Sequence, residues 1–267
     1  MGDGVHDDWP GPPTAPLPHN DVWLWHRLDL RYDAWVTIQE MYRNQRRLMH
    51  RRLVPKQFKE TYINQCLRRV SNPLYVEIGV RNGDSLRAVH APRKIGIDPG
   101  QYPGMSSLRD GEEFYNKTSD NFFSEDANGL FANSRIDVAL IDGLHEYEQA
   151  LRDLLNLERY MAREGVIVLD DFNPATAELA GEPTGGAWNG DVWKIAAYIR
   201  AERPDLKLIT IDADQGVGLV TRLSVDAEWP RDEAIRKYKH LDYNYLAENR
   251  RELLGLVPRA PINVLLE

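Results

Sequence analysis

The sequence predicts an α/β fold, with helices on both faces of a seven-stranded, mostly parallel sheet whose last strand runs the other way. Three observations carry this. From residue 74 onward, short apolar runs alternate with segments of helical periodicity, as in a parallel sheet with crossover helices. The runs at 206–212 and 217–222 are joined only by ADQG, a link that closes an antiparallel hairpin and is too short for a parallel crossover. The first run, YVEIGVRNGDSL at 75–86, passes through a glycine turn into a new helix, where open sheets build a crevice at their strand ends.

Each element has a local reason. Residues 1–20 carry five prolines and almost no aliphatic side chains, and are expected to be a flexible tail. Residues 21–70 are expected to form a helical extension. Trp35, Ile38, Met41 and Tyr42 recur at helical spacing, and a second helix is expected over Lys56–Val70. This stretch is basic through Arg43, Arg46, Arg47, Arg51, Arg52, Lys56 and Lys59, which fits a solvated face, a subunit contact or an anionic ligand. The expected strands are 74–79, 94–98, 112–117, 137–142 and 165–170, followed by the hairpin. The core is expected to span 71–224. Between the fourth and fifth strands, Tyr147, Leu151, Leu154, Leu157 and Met161 mark one face of a helix. Another helix is expected at 191–202, stopped by Pro204. Residues 225–267 are expected to form a helical C-terminal extension, amphipathic over 231–256 and irregular at PRAPINVLLE. No repeat is visible.

Bulk properties exclude several classes. The chain has 267 residues, 42% of them hydrophobic and 28% charged, ordinary values for a globular protein. A net charge of −8 argues against nonspecific nucleic-acid binding. Cys66 is the only cysteine, so no internal disulfide can form and a reducing, cytoplasmic setting is expected. No apolar run is long enough to span a membrane, and the N-terminus lacks the basic-then-apolar order of a signal peptide.

The first turn bears on the cofactor. The dinucleotide pattern of three glycines would need them at 77, 79 and 82; Glu77 and Asn82 break it. A carboxylate at 77 would repel a pyrophosphate and suit an ammonium or sulfonium ligand. S-adenosylmethionine (SAM) carries both groups and no phosphate. Gly79 and Gly83 supply the tight turn. Asp98, ending the second strand, suits ribose hydroxyls, with a turn cap in IDPG as the alternative.

LIDGLHEYEQ at 140–149 and VIVLDDF at 166–172 carry the chemistry. Neighbouring parallel strands lie about 4.8 Å apart with their carboxyl ends on one edge. Asp142, Asp170 and Asp171 would therefore meet, and repel unless protonated or bridged by a hard cation such as Mg²⁺. His145, with an ordinary pKa of about 6.5, would be the general base for a hydroxyl acceptor. Helix capping by Asp142 and surface roles for the others stay open.

These motifs resemble class I SAM-dependent methyltransferases: E-x-G-x-x-x-G at Glu77–Gly83, the acid at Asp98, and IDG-x-H at Ile141–His145 followed by a double acid. More narrowly they resemble the metal-dependent sugar O-methyltransferases of antibiotic biosynthesis, the macrocin and mycinamicin type, in a group often labelled cephalosporin hydroxylase-like. The resemblance covers about 74–222 and implies a Rossmann-like sheet. It implies SAM at Glu77, Gly79 and Asp98, with an adenine contact at Ser119 or Asp120. It also implies a cation on Asp142, Asp170 and Asp171, with His145 as base. Some relatives carry an Asp two residues after the first metal acid; Leu144 stands there instead. The long polar loop 173–191 suits a lid, with Trp188 and Asp191 as acceptor contacts, or as loop packing and a helix cap.

The expected activity is Mg²⁺-dependent O-methyl transfer to a sugar or glycosylated natural product, or to a nucleotide sugar. The alternatives are N-methyl transfer to an amino sugar and a non-catalytic SAM-fold binding or assembly protein. The expected partner is a small-molecule acceptor, not nucleic acid or membrane, and the helical ends are candidates for homo-oligomer contacts.

Overall fold

The computed structural model describes residues 58–183 and 188–266, all within the Asn44–Glu267 unit of the chain. The expectations for 1–20 and 21–57 lie outside the described residues. The described elements run in order as α1 (Lys59–Leu67), β1 (Leu74–Ile78), α2 (Asp84–Ala88), β2 (Arg93–Ile97), a 3₁₀ turn (Pro103–Ser106) and β3 (Glu112–Tyr115). Then come α3 (Ser119–Glu125), α4 (Ala127–Leu130), β4 (Ile136–Ile141), α5 (Tyr147–Glu158), β5 (Met161–Leu169), α6 (Ala177–Ala180) and α7 (Lys194–Glu202). The chain continues through β6 (Lys207–Ile211), β7 (Val217–Thr221), α8 (Asp232–Arg236), α9 (Tyr243–Leu254), β8 (Leu256–Val257) and α10 (Ile262–Leu265).

The sheet order is β3-β2-β1-β4-β5-β7-β6-β8. The first five strands are mutually parallel, and β7 runs antiparallel to both β5 and β6. The sheet has eight strands, one more than the sequence predicts. Gly255 takes a left-handed conformation (φ 58°) that ends α9 and turns the chain. Leu256 and Val257 then pair parallel with Thr210 and Ile211 of β6. A two-residue strand leaves too short a pattern to read in advance.

Two apolar layers enclose the sheet. On one face Val76, Ile78, Ile97, Ala139, Ile141 and Ile167 pack against α3, α4, α5, α7 and α9. Leu151, Leu154 and Leu157 of α5 are fully buried there, each contributing about 1.5–3 kcal/mol. On the other face Tyr75, Val138, Leu140, Val166, Val168 and Leu219 pack against Tyr62, Ile63, Cys66 and Leu67 of α1, Leu86 of α2 and Ile262 of α10. The outer segments are thus part of the core: α1 covers the middle of the sheet, and the C-terminal segment adds helices and an edge strand. Among the described residues, no helix is long and apolar enough to cross a membrane.

Candidate active site

Register builds the site. Ile78 pairs with both Ile97 and Ile141, and Ile141 pairs with Leu169. The next residues, Gly79, Asp98, Asp142 and Asp170, therefore leave the sheet along one edge. At Gly79 the chain turns with φ 89°, and an added Cβ would lie 2.1 Å from the Asp142 carbonyl oxygen. Only glycine permits that approach.

These tips border a cavity of about 900 Å³, lined also by Arg81, Tyr102, Ser119, Asp120, His145 and Trp188. Asp98 Oδ2 accepts from the backbone N–H groups of Val80 and Arg81, both at 2.9 Å, and Oδ1 accepts from Gly100 N at 2.7 Å. Its carboxylate thus organises the first turn while facing the cavity, and about one of its four lone-pair sites stays open to a ligand. Ser119 and Asp120 meet through Gln149, whose amide reaches Ser119 Oγ (3.2 Å), Asp120 Oδ1 (3.3 Å) and Asp153 Oδ1 (3.0 Å). Burial pushes the Asp153 carboxyl up to about 6, against the pull of Ser119 and Gln149.

The three predicted acids do meet. Asp142, Asp170 and Asp171 all line the cavity, with Asp170 and Asp171 nearly buried. A cation of the protein itself lies among them. Lys59 Nζ donates to Asp142 Oδ2 at 2.6 Å and to Asp170 Oδ2 at 2.5 Å. Burial opposes charge on this amine, but the two carboxylates outweigh it and hold Lys59 well above the ordinary lysine value. Asp170 goes the other way: burial, then repulsion from Asp142, pushes it up to about 8. Its Oδ1 is buried with no hydrogen-bond partner. Asp142 faces the same burial, yet His145 and Lys59 bring it below the ordinary carboxylate value.

His145 lies across Asp142 from Lys59. Its Nε2 is 3.4 Å from Asp142 Oδ1, and its Nδ1 is 3.3 Å from both Asp171 Oδ2 and the Trp188 carbonyl. Burial lowers its proton affinity, but those acceptors outweigh burial and raise it above the ordinary histidine value. Ligating atoms of Asp142, His145 and Asp171 all lie within 4.8 Å of one another, the spacing of a cation site. His145 (φ 53°) and Asp171 (φ 55°) hold left-handed backbone conformations that non-glycine residues adopt at a cost of about 1–3 kcal/mol each.

The returning arm of the 173–191 loop fixes both residues. Trp188 stacks on the His145 ring, with centroids 5.2 Å apart, and its indole N–H bonds the Gly181 carbonyl. Asn189, fully buried, donates to Asp171 Oδ1 at 2.6 Å. Gly190 passes so close that a Cβ would lie 1.9 Å from the His145 carbonyl oxygen.

Three predicted site residues do not line the cavity. Glu77 shares a strand face with Tyr75, because alternate residues of a strand point to opposite sides. It is buried on the α1 side, where Tyr75 Oη donates to its Oε2 at 2.8 Å and burial pushes its carboxyl up to about 8. Its carboxyl does not face the crevice and so does not repel a phosphate there; only the broken glycine pattern speaks against a dinucleotide. Gly83 precedes α2 at φ 81° and shapes the turn from behind. Asp191 accepts from Tyr147 N at 2.6 Å and from Lys194 Nζ at 2.9 Å, so its carboxylate is engaged at the start of α5, away from the cavity lining. Lys59, Asn189 and Asp153 went unrecognised in the sequence. Lys59 was visible only as one of seven basic residues, and no local pattern ties residue 59 to residues 142 and 170.

This edge brings together a glycine turn, a strand-end acid and an acidic pocket beside them. Residues 76–172, from β1 to just past Asp171, match the family model of a methyltransferase domain, and the chain is a SAM-dependent methyltransferase. No curated protein matches it. Among solved structures, cofactor-bound Rv0187 from MTB is 14% identical, with 70% of this chain and 91% of that one covered and a TM-score of 0.47. The MycE methyltransferase of the mycinamycin biosynthetic pathway, in complex with Mg and SAH, is 18% identical over 64% of this chain and 50% of its own, with a TM-score of 0.42. A methyltransferase from Geobacter sulfurreducens is 17% identical over 74% and 97%, with a TM-score of 0.41.

Proposed function

We propose that this enzyme is a divalent-cation-dependent O-methyltransferase acting on a hydroxyl of a sugar, a nucleotide sugar or a glycosylated small natural product. The observation that carries it is the convergence of Asp142, His145 and Asp171 on one cavity, beside an orphaned oxygen of Asp170. A buried carboxylate oxygen without a partner is costly, and a hard cation relieves that cost. The donor set fits such an ion, with Asp142 and Asp171 holding it and Asp170 within the same pocket. SAM, when bound, supplies an electrophilic methyl group, and a divalent cation, when bound, lowers the pKa of a hydroxyl that it touches.

The chain's own residues do the rest. Gly79 leaves room at the first turn, and Asp98, Ser119 and Asp120 offer hydrogen-bond acceptors along the cavity. Trp188 presents an aromatic face suited to the apolar side of a sugar ring. Asn189 and Gly190 hold Asp171 and His145 in place. His145 takes the acceptor proton on a ring nitrogen, which requires a neutral imidazole. Asp142 and Asp171 favour its charged form, so the base role needs their charge answered from elsewhere.

The test uses the full chain with SAM, Mg²⁺ and a panel of glycosides and nucleotide sugars, read by product mass. Methylated product that disappears with a chelator is the expected result. His145→Ala should keep SAM affinity by calorimetry yet lose about 10²–10⁴-fold in rate. Transfer insensitive to chelator would remove the cation, and an unchanged His145→Ala rate would remove the base.

A further inference from the structure

Lys59 touches two of the three acids, Asp142 and Asp170. It opens α1, and its side chain is largely buried, 14% exposed. The two oxygens it takes are the Oδ2 atoms of Asp142 and Asp170, whereas His145 faces Oδ1 of Asp142. The pocket is thereby divided. One side holds an ammonium already satisfied by two carboxylates. The other holds Asp142 Oδ1, His145 and Asp171, whose ligating atoms are grouped closely enough for an ion. Asp170 joins the two sides, with one oxygen bonded to Lys59 and the other unpartnered.

We propose that Lys59 is a built-in competitor for the divalent cation. Its ammonium occupies carboxylate oxygens the ion would otherwise use, leaves Asp170 only its Oδ1 to offer, and so sets how tightly the site takes metal. The physical reason is charge. An ammonium in contact with Asp142 cancels part of the field that attracts a second cation to the same carboxylate, and in a poorly solvated pocket that cancellation is screened little. This makes Lys59 a positioning residue: it acts through Asp142 and Asp170 and needs no contact with either reactant. The consequence is a site that is stable without metal and binds it with reduced affinity. The inference rests on the cation-dependent reading above.

The experiment titrates Mn²⁺ into the full-length chain, without SAM or acceptor, and reads free Mn²⁺ by electron paramagnetic resonance. Wild type, Lys59→Met and Lys59→Arg are compared, with melting temperatures recorded with and without Mn²⁺. Lys59→Met should bind Mn²⁺ at least about ten-fold more tightly, because one opposing charge is gone and the Oδ2 atoms of Asp142 and Asp170 are released. Lys59→Arg keeps the charge and should bind no more tightly than wild type. Without metal, Lys59→Met should melt lower than wild type, and saturating Mn²⁺ should close the gap. A purely structural lysine would lower the melting temperature without tightening Mn²⁺ binding. Equal Mn²⁺ affinity in wild type and Lys59→Met overturns the competitor role and leaves the cation reading standing. No Mn²⁺ binding by any of the three overturns both. A Lys59→Met protein that stays unfolded in saturating Mn²⁺, or a Lys59→Arg protein that binds more tightly than wild type, also overturns it.

Discussion

Replacing Asp153 by Asn should remove one specific pH dependence from the stability of this protein. Asp153 lies on α5 at the cavity wall, 2% exposed, bonded by the Gln149 amide at 3.0 Å. Burial raises its carboxyl from 3.8 to about 6. The folded protein therefore holds the proton more tightly than the unfolded chain does. The associated stability is fully present below about pH 3.8 and is lost as the pH rises through about 6. A rise of that size corresponds to about 3 kcal/mol. Asn cannot ionise, and its side-chain oxygen can still accept from Gln149. Urea unfolding of both proteins, followed by fluorescence at several values between about pH 4 and 7.5, isolates the effect, because the other titrating groups cancel in the difference. The wild type should lose up to about 3 kcal/mol relative to Asp153→Asn across that window. Parallel stability curves would show that Asp153 is as well solvated as an ordinary surface acid, and the argument from burial would be wrong.

Two further substitutions test the frame. Gly79→Ala should cost at least about 1–3 kcal/mol from its left-handed backbone alone, and more because a Cβ would press on the Asp142 carbonyl, so SAM affinity should fall with stability. A variant with unchanged melting and SAM binding would show that the β1 and β4 tips are not held so closely. Arg203→Met should be more damaging than its position suggests. Arg203 grips the fully buried Glu158 with two hydrogen bonds of 2.8 Å, tying the end of α5 to the turn after α7. Denaturant titration should show a loss of about 3–5 kcal/mol, with much of it recovered when Glu158→Leu removes the stranded charge as well. A loss below about 1 kcal/mol would mean that Glu158 finds other partners.

Much of the architecture was legible because local chemistry repeats. Strand positions agreed to within a few residues because each strand is a short apolar run closed by a polar or glycine-bearing turn. The exception was β5, which begins at Met161, earlier than its apolar run, because the backbone through Arg163 and Glu164 continues an extended path. The helix read through Met161 accordingly stops at Glu158. Nothing local distinguishes an amphipathic helix that covers the sheet from one in an appendage, so α1 looked peripheral although Cys66 and Leu67 are buried in the second core layer.

The site divides in the same way. Asp142, Asp170, Asp171 and His145 were readable because parallel strands place their carboxyl ends on one edge, so residue type at a strand's end already implies neighbourhood. Glu77 was misassigned because the motif fixes its position along the strand, whereas the pleat decides its face, and the face it takes lies toward Tyr75. Lys59 is the opposite case: its type was plain and its partner was not. The sequence by itself determined the parallel sheet, the turn at Gly79 and the gathering of acids at strands four and five, because these follow from periodicity and strand direction. Only the tertiary structure decided that α1 closes over that edge and delivers an ammonium to Asp142 and Asp170. A contact between residues so far apart along the chain is set by packing, which leaves no mark in local sequence.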